Sequence, residues 1–196
     1  MARQKEFNES DALEQAMLAF WQHGYGGTGI QYLVETTGVN RASLYGTFGN
    51  KQHLFLSALQ RYTEHCVSGL RAALESGSGA GDGIRRMLQH FLEITLNSER
   101  GCLLYNTALE VSAHDRDIQR AVEEGMGQIE SLVTQWVRKA QAAGEADPGM
   151  DPVVLGRTLM AAMQGIAVRG SGGCSREVLE SVRDGAMLGL RPPRAN

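Results

Sequence analysis

Between Gly24 and Lys51 the chain reads GYGGTGIQYLVETTGVNRASLYGTFGNK, a stretch whose spacing allows two short helices joined by a glycine turn and followed by a third helix start. Thr28-Gly29-Ile30-Gln31 has the form of a capping box, which predicts a helix beginning at or just before Ile30, with the Thr28 hydroxyl accepting an amide and Gln31 reaching back. Ile30, Leu33 and Val34 give this helix one apolar face. It is predicted to end at Thr37-Gly38, because glycine enters the left-handed turn without steric cost. Asn40 is a good N-cap for the second helix, and Leu44 and Phe48 at i, i+4 can bury against the first. Arg41, Ala42, Ser43 and Tyr45 then point elsewhere. A face made of a long cation, small residues and a hydroxyl suits the major groove of duplex DNA.

With those residues in place, the segment resembles the TetR family of one-component transcriptional regulators. The resemblance is carried by Thr28, Ile30, Gly38-Val39, Leu44-Tyr45, Phe48 and Lys51, which fit the family's spacing without a gap from Gly24 to Lys51. It implies that Arg41, Ala42 and Ser43 meet bases and that Thr28, Tyr45 and Lys51 meet phosphates. Gly29 stands where serine is usual and offers no hydroxyl to a phosphate, and Thr47 stands where histidine is frequent. The resemblance is specific over about the first quarter of the chain and architectural beyond it.

Charge tempers the DNA reading. Up to Lys51 the cations are Arg3, Lys5, Arg41 and Lys51, against Glu6, Glu9, Asp11, Glu14 and Glu35. With no basic excess, phosphate attraction is expected from a few placed groups and helix N-termini, and affinity is expected to depend on dimerisation. The alternative for this stretch is a helical hairpin that only packs, with Arg41 and Lys51 solvated.

The 196 residues carry a formal net charge of −3 and are 42% hydrophobic, which suits a soluble protein of one or two small domains. No apolar run approaches a membrane-spanning length and MARQKEFNESD lacks the apolar core of a signal peptide, so a cytoplasmic location is expected and no membrane partner. Cys66, Cys102 and Cys174 are widely spaced and form no Cys-x-x-Cys pair, indicating neither a disulfide framework nor a zinc site. His23, His53, His65, His90 and His114 add no ligand spacing, and no cofactor is implied.

The periodicity is helical throughout, predicting an all-α fold. Leu13, Ala16, Met17 and Phe20 mark a first amphipathic helix that completes a three-helix head ending near residue 50, with Trp21 half-buried beside it. Asn50 caps a long helix with Leu54, Phe55, Ala58, Leu59 and Tyr62 on one stripe. The glycine-rich run from Glu75 to Gly83 reads as a loop or short linker. Helices follow from Ile84 to Thr95, over Cys102 to Val111 and over Asp117 to Ala143. Asp151-Pro152 starts the next, with proline at the first helical position, and it runs to Gly170. A last helix spans Ser175 to Leu190 before Pro192-Pro193. Residues 51–196 are thus expected to form a helical domain, which the resemblance implies binds an effector and dimerises.

The resemblance implies that the last two helices serve both the subunit core and a partner chain, in keeping with the two-fold axis that paired recognition helices on adjacent grooves require; the alternative is that the monomer core occupies both. In the resembling family the C-terminal helices enclose an apolar effector pocket. The residues that could line it here are Met87, Phe91, Cys102, Tyr105, Asn106, Leu109, Glu110, Trp136, Met160 and Gln164, most of which are equally readable as ordinary core. Asn106 and Glu110, at i, i+4 in an apolar helix, need partners from backbone, water or ligand. Cys102 follows Arg100-Gly101 near a helix start, where amide dipoles and a cation can favour the thiolate; it reads as a thiol sensor or as an inert packing residue.

The function expected from these features is a ligand- or redox-responsive, sequence-specific DNA-binding regulator, a repressor released from its operator by an effector. The alternative is a helical small-molecule-binding protein or enzyme with a structural helix-turn-helix. No nucleophile-base pair, phosphate loop or metal constellation supports that alternative.

Overall fold

A computed structural model describes residues 7–98, 100–111 and 115–191 of the chain. Arg3, Lys5, Glu6, His114 and Pro192-Pro193 lie outside the described residues. Among the described residues every regular element is a helix: α1 Glu9–Gly27, α2 Ile30–Thr37, α3 Arg41–Phe48, α4 Lys51–Glu75, α5 Ala80–Leu96, α6 Leu103–Glu110, α7 Arg116–Ala142, α8 Pro152–Ser171 and α9 Arg176–Leu188. The chain forms two packing units. One holds the described residues up to His65 together with Leu103–Gly125, and the other holds Cys66–Cys102 with the described residues from Met126 onward. The division therefore differs from a cut after residue 50: the first half of α4, all of α6 and the start of α7 belong with the N-terminal helices, because aromatic and polar contacts tie them there.

In the first unit α1 packs on α2 and α6, and α2 on α3. Asn8 caps α1, its Oδ1 accepting the Ser10 amide at 2.9 Å, and Glu9 and Asp11 in the first turn favour the positive end of the helix dipole. Ala12, Ala16, Met17, Ala19 and Phe20 face inward. Leu13 is only half-buried, so the inner stripe is rotated slightly from the expected one. Phe20 meets Phe55 of α4 edge-on at 4.8 Å, and Trp21 meets Tyr62 at 5.1 Å, pairs that add to area burial in fixing α1 against α4.

Two expectations are corrected here. The capping box does not form. Gly29 is the N-cap of α2 with no side-chain bond, Gln31 bonds Glu35, and the buried Thr28 hydroxyl donates inward to the Gly24 carbonyl at 2.6 Å and the Ala19 carbonyl at 3.3 Å. The cause is a break at Gly24 (φ 71°, ψ 175°), which turns the Gly24 carbonyl out of the helix ladder and toward Thr28. The second correction concerns Glu75–Gly83. Helix α5 already begins at Ala80, its exposed N-terminal amides held in part by Glu145, whose Oε2 accepts from Gly81 at 2.5 Å. Gly83 serves close approach: a Cβ there would overlap the Leu74 carbonyl oxygen and stand 3.0 Å from Trp136 Cζ3.

In the second unit α5 packs against α8 and α9, and α8 against α9. Leu92, Ile166 and Leu179 are fully buried at that junction, with Phe91, Leu96, Cys174 and Val182 packed around them. Asp151 caps α8, its Oδ1 accepting the Val153 amide at 2.8 Å with Pro152 in the first turn, as the sequence predicts. Arg176 of α9 grips Glu93 of α5 through two parallel bonds of 2.6 and 2.9 Å.

Candidate nucleic-acid interface

The helix-turn-helix is built from short-range instructions. Gly38 ends α2 in the left-handed conformation (φ 68°) and donates its amide to the Val34 carbonyl at 3.0 Å. Val39, 6% exposed, anchors the turn, and Asn40 opens α3 by accepting the Ser43 amide at 2.9 Å. Leu33 and Leu44 are fully buried on facing helices, which fixes the rotation of α3 about its own axis. Phe48 is half-buried.

That rotation decides which side chains reach solvent. Arg41 and Ala42 are exposed, and Ser43 and Tyr45 half-exposed, while Leu44 is buried. The Arg41 guanidinium stands 5.6 Å above the Tyr45 ring centroid, an i, i+4 cation–π contact that limits where the cation can go. The first residues of α3 are those that meet base edges in helix-turn-helix docking. At the far end Asn50 caps α4 by accepting the His53 amide at 2.9 Å, so Lys51 occupies a helix N-terminus.

Lys51 and Thr28 are placed differently from a simple phosphate-facing row. The Lys51 ammonium lies 4.5 Å above the Tyr25 ring, and partial burial pulls its pKa below the usual lysine range while the charge of Glu110 opposes that shift. Burial likewise raises the Tyr25 phenol, with smaller contributions from Asp115 and Tyr45. Thr28 is 0% exposed with its hydroxyl directed inward, so its side chain supports the turn before α2 and is not presented to a phosphate.

Two family descriptions match the chain: "Bacterial regulatory proteins, tetR family" over residues 12–58 and "Tetracyclin repressor-like, C-terminal domain" over residues 80–184. The chain belongs to the TetR family of transcriptional regulators. Among relatives of this TetR regulator is the transcriptional repressor ComR of Escherichia coli, 31% identical over 195 residues, covering 97% of this chain and 91% of ComR. The uncharacterized HTH-type regulator YezE of Bacillus subtilis is 33% identical over 147 residues, covering 74% and 76%. The fold is similar to that of a cysteine-substituted TetR-family regulator, CifR, in complex with a 26-base-pair operator duplex, with a TM-score of 0.85, 26% identity and 96% and 100% of the two chains covered.

The expected effector-site residues of the TetR regulator separate. Met87, Cys102 and Tyr105 are buried, and Phe91, Trp136 and Met160 are half-buried. Asn106 and Gln164 are exposed, and Leu109 is 82% exposed. Glu110 finds its partners in the backbone, accepting the amides of Tyr25 at 3.1 Å and Gly26 at 2.7 Å. Two open grooves of the second unit have volumes of 490 and 320 Å³. The larger runs between α4 and α5 past Gly69, Ala73, Gln89 and His90, the smaller past Asp82, Arg85, Glu145 and Met187. Neither is lined by the expected pocket residues. Cys102, 7% exposed, directly precedes α6 after the left-handed Gly101 (φ 64°). Cys174 is half-exposed, with the Arg169 guanidinium 3.5 Å from its sulfur. Among the described residues no group of His, Cys, Asp and Glu could hold a metal ion, and no helix is long and apolar enough to cross a membrane.

Proposed function

We propose that this regulator is a cytoplasmic, homodimeric repressor whose paired α3 helices enter adjacent major grooves of an operator and leave it when an effector occupies the C-terminal helices. The observation that carries the reading is the orientation of α3, with Leu44 fully buried while Arg41 and Ala42 stand in solvent. Arg41 is a base-reading donor, Ala42 and Ser43 allow close approach, and Tyr45 and Lys51 are the phosphate partners. Without a basic excess in the head, a single module holds DNA weakly, and the second copy supplies the rest of the contacts. Val154, Val168 and Leu188 are apolar and exposed on α8 and α9 (49%, 55% and 57%), a surface that a second copy of the chain would cover. ComR is itself a repressor and CifR was captured on operator DNA, both of which favour this reading.

The effector is a reversible apolar ligand on the first reading. A thiol signal is the second, favoured by the place of Cys102 at the head of α6, where a bulky adduct would strain a close-packed helix start. A reporter driven by a promoter that overlaps a duplex selected by the protein tests the proposal. Expression should fall when the protein is present and recover with an apolar or electrophilic compound. Recovery retained in Cys102→Ser assigns a reversible ligand, and recovery lost assigns the thiol. A reporter that the protein leaves unchanged or stimulates contradicts the repressor.

A further inference from the structure

We propose that Glu110 is a positioning residue for DNA recognition: from the end of α6 its carboxylate holds the chain turn that leads into α2. The proposal rests on the regulator reading above and adds to it a residue outside the helix-turn-helix.

The turn exists because α1 breaks at Gly24 (φ 71°, ψ 175°). Beyond such a break the next amides lose their carbonyl partners one turn back and project together, an arrangement that attracts an anion. Glu110 supplies it with one oxygen for each amide, Oε2 at 3.1 Å from Tyr25 N and Oε1 at 2.7 Å from Gly26 N. Bonds to an ionised acceptor are about twice as strong as neutral ones, and two of them fix both the place and the direction of the turn. The backbone is cut to admit this carboxylate. A Cβ at Gly24 would stand 2.5 Å from Glu110 Oε2, and one at Gly26 would stand 3.1 Å from Oε1.

What the carboxylate fixes passes directly into the DNA-binding helices. The Gly24 carbonyl accepts the Thr28 hydroxyl at 2.6 Å, and Ile30, two residues later, begins α2, on which α3 is packed. Tyr25 carries the Lys51 ammonium over its ring, and the field of Glu110 acts on that same ammonium. Glu110 therefore governs the entry into α2 on one side of Tyr25 and the seat of a phosphate partner on the other, 85 residues away in sequence from the amide it caps. This also answers why a charged residue ends an otherwise apolar α6.

The test uses full-length Glu110→Ala and Glu110→Gln with a duplex that the unsubstituted protein selects from random DNA. Glu110→Ala should bind that duplex about tenfold more weakly, and Glu110→Gln, which keeps one acceptor oxygen, should fall between the two. The salt dependence should keep most of its slope, since among the phosphate partners only Lys51 is disturbed. Hydrogen exchange at the Tyr25 and Gly26 amides should quicken by about tenfold in Glu110→Ala with the thermal midpoint nearly unchanged. Unchanged exchange at those amides, or unchanged duplex affinity, overturns the proposal. So does a loss that follows a fall in thermal midpoint equally in both variants. A protein that selects no duplex fails the regulator reading and the positioning role together, and the exchange measurement, which needs no DNA, tells that failure from loss of the cap.

Discussion

The guanidinium of Arg41 lies over the ring of Tyr45, one turn along α3, with the central carbon 5.6 Å from the ring centroid. On the proposed function the pair joins a base-reading cation to a phosphate-reaching hydroxyl, and the two roles can be separated by substitution. Arg41→Ala should weaken binding by about 1–3 kcal/mol and relax specificity at a single base position. Tyr45→Phe keeps the ring beneath Arg41 and loses only the hydroxyl, so it should weaken all sequences alike. Titration against a selected duplex and its single-position variants checks both; identical profiles for the two variants would contradict the division of labour.

The exposed apolar residues of α8 and α9 predict which substitutions separate association from folding. Val168→Glu and Leu188→Glu, each on a residue more than half exposed, should leave a folded monomer with weakened operator affinity. Met163→Glu and Leu179→Glu, at 1% and 0% exposure, should unfold the chain, because an unpaired charge cannot be buried in that core. Sedimentation and helical circular dichroism distinguish the two outcomes. Dimeric Val168→Glu and Leu188→Glu proteins would place the interface elsewhere.

Glycines inside helices give opposite expectations according to their surroundings. Gly83→Ala should destabilise by about 1–3 kcal/mol, since its Cβ meets the Leu74 carbonyl and Trp136. Gly127, in α7 with nothing within 4 Å of an added Cβ, should gain about 0.5–1 kcal/mol as alanine. Denaturant unfolding of both variants would show shifts of opposite sign, and shifts of the same sign would refute the packing account of Gly83.

Much of the DNA-binding head was legible in the sequence because its signals are local. Asn40, Asn50 and Asp151 cap the helices they were expected to cap, and of the pair expected to face inward from α3 Leu44 is fully buried and Phe48 half-buried. Thr28 was misread because a capping box and a buried hydroxyl share one sequence pattern. The choice between them was made at Gly24, four residues earlier, by a backbone angle. The run from Glu75 to Gly83 misled for a similar reason: flexibility and close approach both call for glycine, and only the partners Leu74 and Trp136 tell them apart. Glu110 was recognised as needing a partner, but a partner 85 residues away leaves no periodic trace.

The clasp between Arg176 and Glu93 predicts an acid dependence. The hydrogen-bonded Arg176 guanidinium, more than any other group, holds the Glu93 carboxyl below the usual glutamate range. A depressed carboxylate stabilises the fold above its unfolded value, about pH 4.3, and loses that contribution as the pH falls from there through the folded value. The stability difference between the unsubstituted protein and Glu93→Gln should therefore be constant near neutrality and shrink below about pH 4. Thermal midpoints taken in steps of pH check this, and a difference that grows on acidification would contradict the sign.

Selection of bound duplexes from random DNA, followed by sequencing, tests the central claim most directly. Two α3 helices related by a two-fold axis predict one enriched motif made of two inverted half-sites, centred about 34 Å or a multiple of it apart along the duplex. When the same selection is run with Arg41→Ala in both subunits, the motif should lose its preference at one position of each half-site. A library that emerges unenriched from the unsubstituted protein, or a motif selected equally well without Arg41, would contradict α3 as the reading helix.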